Sequence, residues 1–252
     1  MKERYSRNRI YIREDEQELI GKKRLFLGGS GIGSVIAECA IRFGFENITI
    51  VDGDKVELSN LNRQNYTFGD IGRYKAECLA ERLLMINPDA NVMFHTCFID
   101  RGNVKELLEG HDIAINALDF TSDIPFYFDE VCKEKGIPVL HPFNFGFGAF
   151  LTIVKPDSLQ LAEVLGDYEN ADLRMVEQVC RYGIFWNEPK EWLERVIEEY
   201  KKEKGILPPP QLAIGSWIVA GDCVTAMYNM LTGKDVKVFP KFYLSTLYNN
   251  RN

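Results

Sequence analysis

No two of the six cysteines, Cys39, Cys78, Cys97, Cys132, Cys180 and Cys223, are separated by two residues, and His95, His111 and His141 have no ligand spacing. A structural zinc site draws its four ligands from close pairs of such residues, so no structural zinc is expected. Positive charge is also in deficit: 30 Lys and Arg against 37 Asp and Glu leave a formal charge of −7. That balance disfavours nucleic acid as the main partner, because binding phosphates at physiological salt wants a basic face. The cluster Arg4, Arg7, Arg9 is too short to make a nucleic-acid arm. An unbroken apolar run of membrane-spanning length is missing too. Leu212 to Leu231 has the length, but Gly215, Gly221, Asp222 and Asn229 interrupt it and no basic flank orients it. It reads as a buried helix, with no membrane partner. No signal-peptide pattern precedes the charged N-terminus, and the cysteines fall mostly inside apolar patterns, which is the usage expected of a cytoplasmic protein.

The most informative stretch runs from Lys23 to Lys75. The apolar strand Arg24-Leu25-Phe26-Leu27 leads into Gly28-Gly29-Ser30-Gly31-Ile32-Gly33, followed by a helical pattern of Val35, Ile36, Cys39, Ala40 and Phe43. Glycines serve such a turn because its dihedrals exclude a β-carbon and because the backbone must approach phosphates at the positive helix end. A second strand, Ile48 to Val51, ends at Asp52. An acid about twenty residues past the glycines is where a nucleotide-binding βαβ unit holds ribose. That much also suits a nicotinamide- or flavin-dependent oxidoreductase, or a non-catalytic nucleotide-binding interaction subunit.

The continuation discriminates. Gly53 to Gln64 contains Asp54, Asn60, Arg63 and Gln64, and Asp70-Ile71-Gly72-Arg73-Tyr74-Lys75 leads into a helix expected over Ala76 to Ile86. Oxidoreductase chemistry needs neither Asn60 to Gln64 nor Lys75. With Arg4-Tyr5-Ser6-Arg7-Asn8-Arg9 and Ile115-Asn116-Ala117-Leu118-Asp119, these segments resemble the ThiF/MoeB/HesA family, the bacterial relatives of ubiquitin-activating enzymes.

The resemblance implies an ATP- and magnesium-dependent adenylyltransferase. Its substrate would be the C-terminal carboxylate of a ubiquitin-like or sulfur-carrier protein or of a peptide, leaving as an acyl adenylate with release of pyrophosphate. It implies that Arg63 and Lys75 hold the triphosphate and that Asp119 binds Mg2+. It also implies a homodimer in which Arg7 reaches the partner's ATP site. Gly28, Ser30, Gly31, Gly33, Asp52, Asp54, Asn60 and Gln64 complete the expected nucleotide site. Two departures stand out. The family's usual Gly-x-Gly-Gly-x-Gly turn has Ser30 at its second conserved glycine, where a positive φ would be strained. The two Cys-x-x-Cys zinc pairs of many members are absent.

Downstream, strands are expected at Asn91 to Phe98, His111 to Ala117, Ile137 to Leu140 and Gly148 to Val154. Helices are expected at Asn103 to Leu108 and Phe126 to Lys135. This alternation predicts an α/β fold, a doubly wound, mostly parallel Rossmann-like sheet with functional groups at the strands' carboxyl ends. We read 1–252 as a single adenylation domain: an N-terminal helical arm (1–22), a nucleotide-binding core (23–155), a helical insertion (156–210) and a C-terminal helix and strand (211–252). Within the insertion, helices are expected at Asp172 to Arg181 and Lys190 to Lys204, the second amphipathic through Trp192, Val196, Ile197 and Tyr200 and suited to a lid, to partner docking or to packing alone. Cys180, beside Arg181, is either a thiol of lowered pKa that takes up the acyl group or a buried inert cysteine. The run Phe143-Asn144-Phe145-Gly146-Phe147-Gly148 reads either as a core plug, the commoner use of aromatics in a loop, or as the wall of a slot for a narrow C-terminal tail, and its place at the same end as Asp119 tips the reading slightly to the slot.

Overall fold

The computed structural model describes residues 2–185, 188–203 and 207–248. The chain opens with a 3-10 turn, Glu3–Asn8, and helix α1, Glu14–Lys22. Two βα units follow: β1 Arg24–Gly28, α2 Gly33–Phe43, β2 Asn47–Val51 and α3 Lys75–Ile86. Then come β3 Asn91–His95, α4 Val104–Leu107, β4 Ile113–Asn116, α5 Ile124–Lys135, β5 Val139–Asn144 and β6 Gly148–Val154. Helices α6 Leu161–Leu165, α7 Ala171–Phe185 and α8 Glu191–Glu203 form the insertion, and α9 Ala213–Leu231 and β7 Tyr243–Thr246 complete the order.

The strands make one seven-stranded sheet in the order β3-β2-β1-β4-β5-β6-β7. Pairings from β3 to β5 are parallel, and those of β6 with β5 and β7 are antiparallel. Alternation along β1 explains the two layers. Leu25 and Leu27 join the core under α2, α3 and α9, whereas Phe26 joins Val104, Phe128 and Val131 on the opposite face. Successive side chains of a strand point to opposite faces, so an all-apolar strand is what a sheet covered on both sides requires. The apolar helix α9 lies across β5, β6 and α2, with Val219, Cys223 and Met227 fully buried. Among the described residues no helix is long and apolar enough to cross a membrane.

Several boundaries differ from the sequence reading. β3 stops at His95, three residues early, because the chain turns so that the Phe98 ring covers Gly53. β5 runs on to Asn144 and returns as β6 through a hairpin closed by Phe145 N–H to Gly148 O at 2.9 Å. No crossover joins these two strands. The aromatic run is therefore not a slot wall: Phe143, Phe145 and Phe150 pack on one another and plug the cluster beneath the insertion, and Phe147 stacks on Tyr248. In α8 the buried face is Trp192, Leu193 and Ile197, while Val196 is exposed. That face packs into the same cluster as Met175 and Val179 of α7. The expected end of this helix at Lys204 lies outside the described residues.

Candidate active site

Strand order reverses between β1 and β4, and the register aligns their ends: Gly28 lies beside Val51 on one side and Asn116 on the other. The loops after β1, β2 and β4 therefore open at one place, the crevice where doubly wound sheets bind ligands. In the glycine turn the positive φ falls on Gly29, at 89°, and a β-carbon there would meet the Ala117 carbonyl oxygen at 2.5 Å. Gly33 lets α2 start against Leu27, whose Cδ1 would lie 2.9 Å from an added β-carbon. Ser30 is not in the left-handed region, so the strain expected there does not arise. Instead Ser30 is fully buried, and its N–H and Oγ both donate to Asp52 Oδ2, at 2.6 and 2.8 Å. The first turn of α2 carries no acidic residue of its own, so Asp52 is the carboxylate seen to bond the turn that leads into it.

The segment after β2 is tied down at both ends. A short antiparallel bridge, Lys55 to Tyr74, with Lys75 N–H to Asp54 O at 2.9 Å, brings the start of α3 beside Asp54. Lys75 is buried, and its Nζ lies 3.0 Å from Asp54 Oδ2. Asn60 caps a 3-10 turn by accepting Glu57 N–H at Oδ1, and its own carbonyl accepts the N–H groups of Arg63 and Gln64. It thus shapes the loop that presents Arg63. The Arg63 guanidinium donates from Nη1 to Ser59 O and from Nε to Gln211 Oε1. Gln64 lies against Gly31, and its buried Oε1 has no hydrogen-bond partner.

Residues that the sequence reading missed hold this segment in place. Asn65 bonds through its N–H to Ser34 Oγ and through Nδ2 to the buried Glu38, which also accepts from Arg42 and Arg82. The Tyr66 hydroxyl donates to Ser30 O at 2.7 Å, and burial pushes its pKa far up, so it stays a neutral donor. Tyr66 follows Gln64 by two residues and was within reach of a closer reading. Gln211, 148 residues from Arg63, had no local signal.

Asp119 follows β4 by three residues. Burial raises its pKa; Lys75 and Arg63 oppose that shift, and Asp54 and Asp52 add to it. The same five side chains therefore share one electrostatic environment, although solvent reaches the Asp119 carboxyl. Arg63 has its pKa lowered by desolvation, with Asp119 working the other way. Behind the loop, Asn116 donates to Pro125 O and Asp129 Oδ1 and accepts Leu118 N–H. His141 Nε2 lies 2.9 Å from Asp129 Oδ2, close but not aligned as a hydrogen bond. For the magnesium implied by the resemblance, the donor set is a single hard carboxylate. Among the described residues no three His, Cys, Asp or Glu gather into a metal site. A cation bridging phosphates takes one or two protein carboxylates, so Asp119 fits that role.

Two candidates are not brought to the crevice. Arg7 sits exposed on the N-terminal turn, whose Tyr5 and Asn8 bond Glu46 and Phe43 O at the far end of α2. Eleven residues of helix, about 16 Å, separate that end from the glycine turn. Cys180 is buried, and burial, with Glu194 and Glu177 nearby, pushes its thiol up to about 11. The lowering by Arg181 that a reactive thiol would need is not found.

The ThiF family model matches residues 5–251. The chain is 31% identical over 159 residues to a SAMP-activating enzyme E1 of Haloferax volcanii, a match covering 62% of this chain and 58% of that protein. It is 33% identical over 175 residues to a tRNA threonylcarbamoyladenosine dehydratase of Haemophilus influenzae, covering 69% and 65%. The chain thus spans less than two thirds of the length of these curated relatives. Among solved structures, that of E. coli MccB with ATP superposes with a TM-score of 0.69 at 18% identity, over 99% of this chain and 73% of that one. With the strand order, the crevice and the match in agreement, the chain belongs to the ThiF family.

Proposed function

We propose that this protein is an ATP-dependent adenylyltransferase that converts the C-terminal carboxylate of a ubiquitin-like or sulfur-carrier protein, or of a peptide, into an acyl adenylate with release of pyrophosphate. The observation that carries the reading is the set of strand-end groups at one crevice, with Asp52 bonded to the glycine turn through Ser30, Lys75 paired with Asp54 at 3.0 Å, and Arg63 and Lys75 acting on the charge of Asp119. Family membership, and relatives named for activating SAMP or solved with ATP, support it.

In this reading the N–H groups at the start of α2 receive phosphate and Asp52 receives ribose. Asn60 holds the loop that aims Arg63, and Gln64 Oε1 accepts a donor from nucleotide or substrate. A carboxylate is already a nucleophile and needs no general base; its difficulty is approaching a polyanion. Fixed positive charge on Arg63 and Lys75 offsets that repulsion and stabilises charge building on the phosphoryl oxygens. Magnesium, when bound at Asp119, would supply further charge neutralisation. Arg7 cannot serve its own site from the far end of α2, so a homodimer with Arg7 acting in trans follows from the same reading. A cytoplasmic location goes with it.

The charge of −7 gives no support to a tRNA substrate like that named for the Haemophilus relative. A test is ATP–pyrophosphate exchange that depends on an added partner carboxylate. Binding of NAD in preference to ATP would return the reading to an oxidoreductase, and ATP binding without exchange would leave a nucleotide-binding interaction subunit. Retained exchange in Asp119→Ala would remove the metal assignment.

A further inference from the structure

The Asp52 carboxylate is unusually committed to its own protein. An ionised carboxylate offers about four lone-pair positions, two on each oxygen. Ser30 N–H and Ser30 Oγ take both positions on Oδ2, and Asp54 N–H takes one on Oδ1 at 2.8 Å. One acceptor position remains, on Oδ1. The hydroxyl that fills the second place on Oδ2 comes from the residue standing where the family's usual turn has glycine, and a glycine would supply only its N–H. Ser30 has no freedom to turn away. It is fully buried, and its carbonyl is held by the buried Tyr66 hydroxyl.

We propose that Ser30 narrows Asp52 to a single ribose hydroxyl, so that this site reads one of the two vicinal hydroxyls of the nucleotide and is indifferent to the other. Ser30 is a positioning and specificity residue acting through Asp52. The inference rests on the reading of Asp52 as the ribose acceptor. Its chemical consequence is tolerance: a nucleotide lacking or modified at the unread hydroxyl remains a ligand, whereas one lacking the read hydroxyl does not.

The experiment is calorimetric binding of ATP, 2′-deoxy-ATP and 3′-deoxy-ATP to the intact protein, to Ser30→Ala and to Ser30→Gly, with Asp52→Ala as reference. In the wild type one deoxy analogue should bind within about twofold of ATP and the other about tenfold or more weakly, the size expected for losing one bond to a charged acceptor. In Ser30→Ala the freed position on Oδ2 should let both hydroxyls bind, so that ATP tightens several-fold and both analogues fall behind it. Ser30→Gly should behave like Ser30→Ala, and keeps the test sound if alanine disturbs the turn. A merely structural serine would shift all three ligands together and leave their ratios unchanged; that result overturns the proposal, as does a wild type weakened by the loss of either hydroxyl. If Asp52→Ala binds ATP as well as the wild type, the ribose reading itself has failed and takes the inference with it.

Discussion

Arg63 Nε donates to Gln211 Oε1 at 2.6 Å, joining the loop after β2 to a residue two positions before the start of α9. Gln211 also accepts Asn62 Nδ2 at its backbone carbonyl. The Arg63 guanidinium, proposed to face the triphosphate, is therefore held by an uncharged side chain from a distant part of the chain. Gln211→Ala should leave the fold intact and raise KM for ATP about fivefold to tenfold through lost positioning. Steady-state exchange kinetics check this, and an unchanged KM would reduce Gln211 to packing.

Asp119 links acidity to both stability and activity. Its folded-state pKa is raised, so between the ordinary carboxylate pKa and that raised value the folded protein holds more protons than the unfolded one, and stability falls as pH rises through that window. Because the Asp119 side chain is exposed and solvent screens it, Asp119→Asn should melt only slightly higher than wild type at pH 7, with the difference shrinking toward pH 4. Exchange should drop about a hundredfold or more. Thermal melts across that range, beside exchange rates, read both effects.

The buried Asn116 makes a different demand. Asn116→Ala removes two donated bonds and leaves the Asp129 carboxylate, 4% exposed, without its donor. Unfolding in urea should show a loss of about 2–3 kcal/mol. Because Leu118 N–H loses its acceptor as well, the loop carrying Asp119 should loosen, and exchange should weaken beyond what the unfolded fraction accounts for.

A trans role for Arg7 has a complementation signature. Arg7→Ala and Asp119→Ala should each be inactive alone. Mixed and allowed to exchange subunits, they should recover about a quarter of wild-type activity, since half the dimers would then hold one intact site. No recovery would argue against the homodimeric reading.

Cys180 should be dispensable. With its thiol pushed to about 11 and its side chain buried, it should escape alkylation in the folded protein at pH 8, as read by peptide mass spectrometry. Cys180→Ala should keep exchange within about twofold.

The sequence made some of this legible for a physical reason. Gly28, Asp52 and Asp119 each end or follow a strand, and parallel register alone carries strand ends to one crevice. Arg63 and Lys75 were legible through the segment that holds them. Ser30 was visible, but its partner was not: no spacing rule says that a serine in a glycine turn will face the acid of the next strand. Gln211 was invisible because contacts across about 150 residues, to Asn62 and Arg63, leave no periodicity. The aromatic run misled because alternating Phe and Gly suits both an open loop and a hairpin, and only the pairing of β5 with β6 decides between them.

Gly29 has a further consequence for how this scaffold can be altered. Its backbone lies so close to Ala117 that an added β-carbon would fall 2.5 Å from the carbonyl oxygen. The turn between β1 and α2 and the loop carrying Asp119 are therefore two halves of one joint. The atom approached is a main-chain carbonyl that any residue at 117 would supply, so position 29 has to stay glycine whatever side chains the Asp119 loop carries, and a library over 28–33 should fold only in the members that keep it.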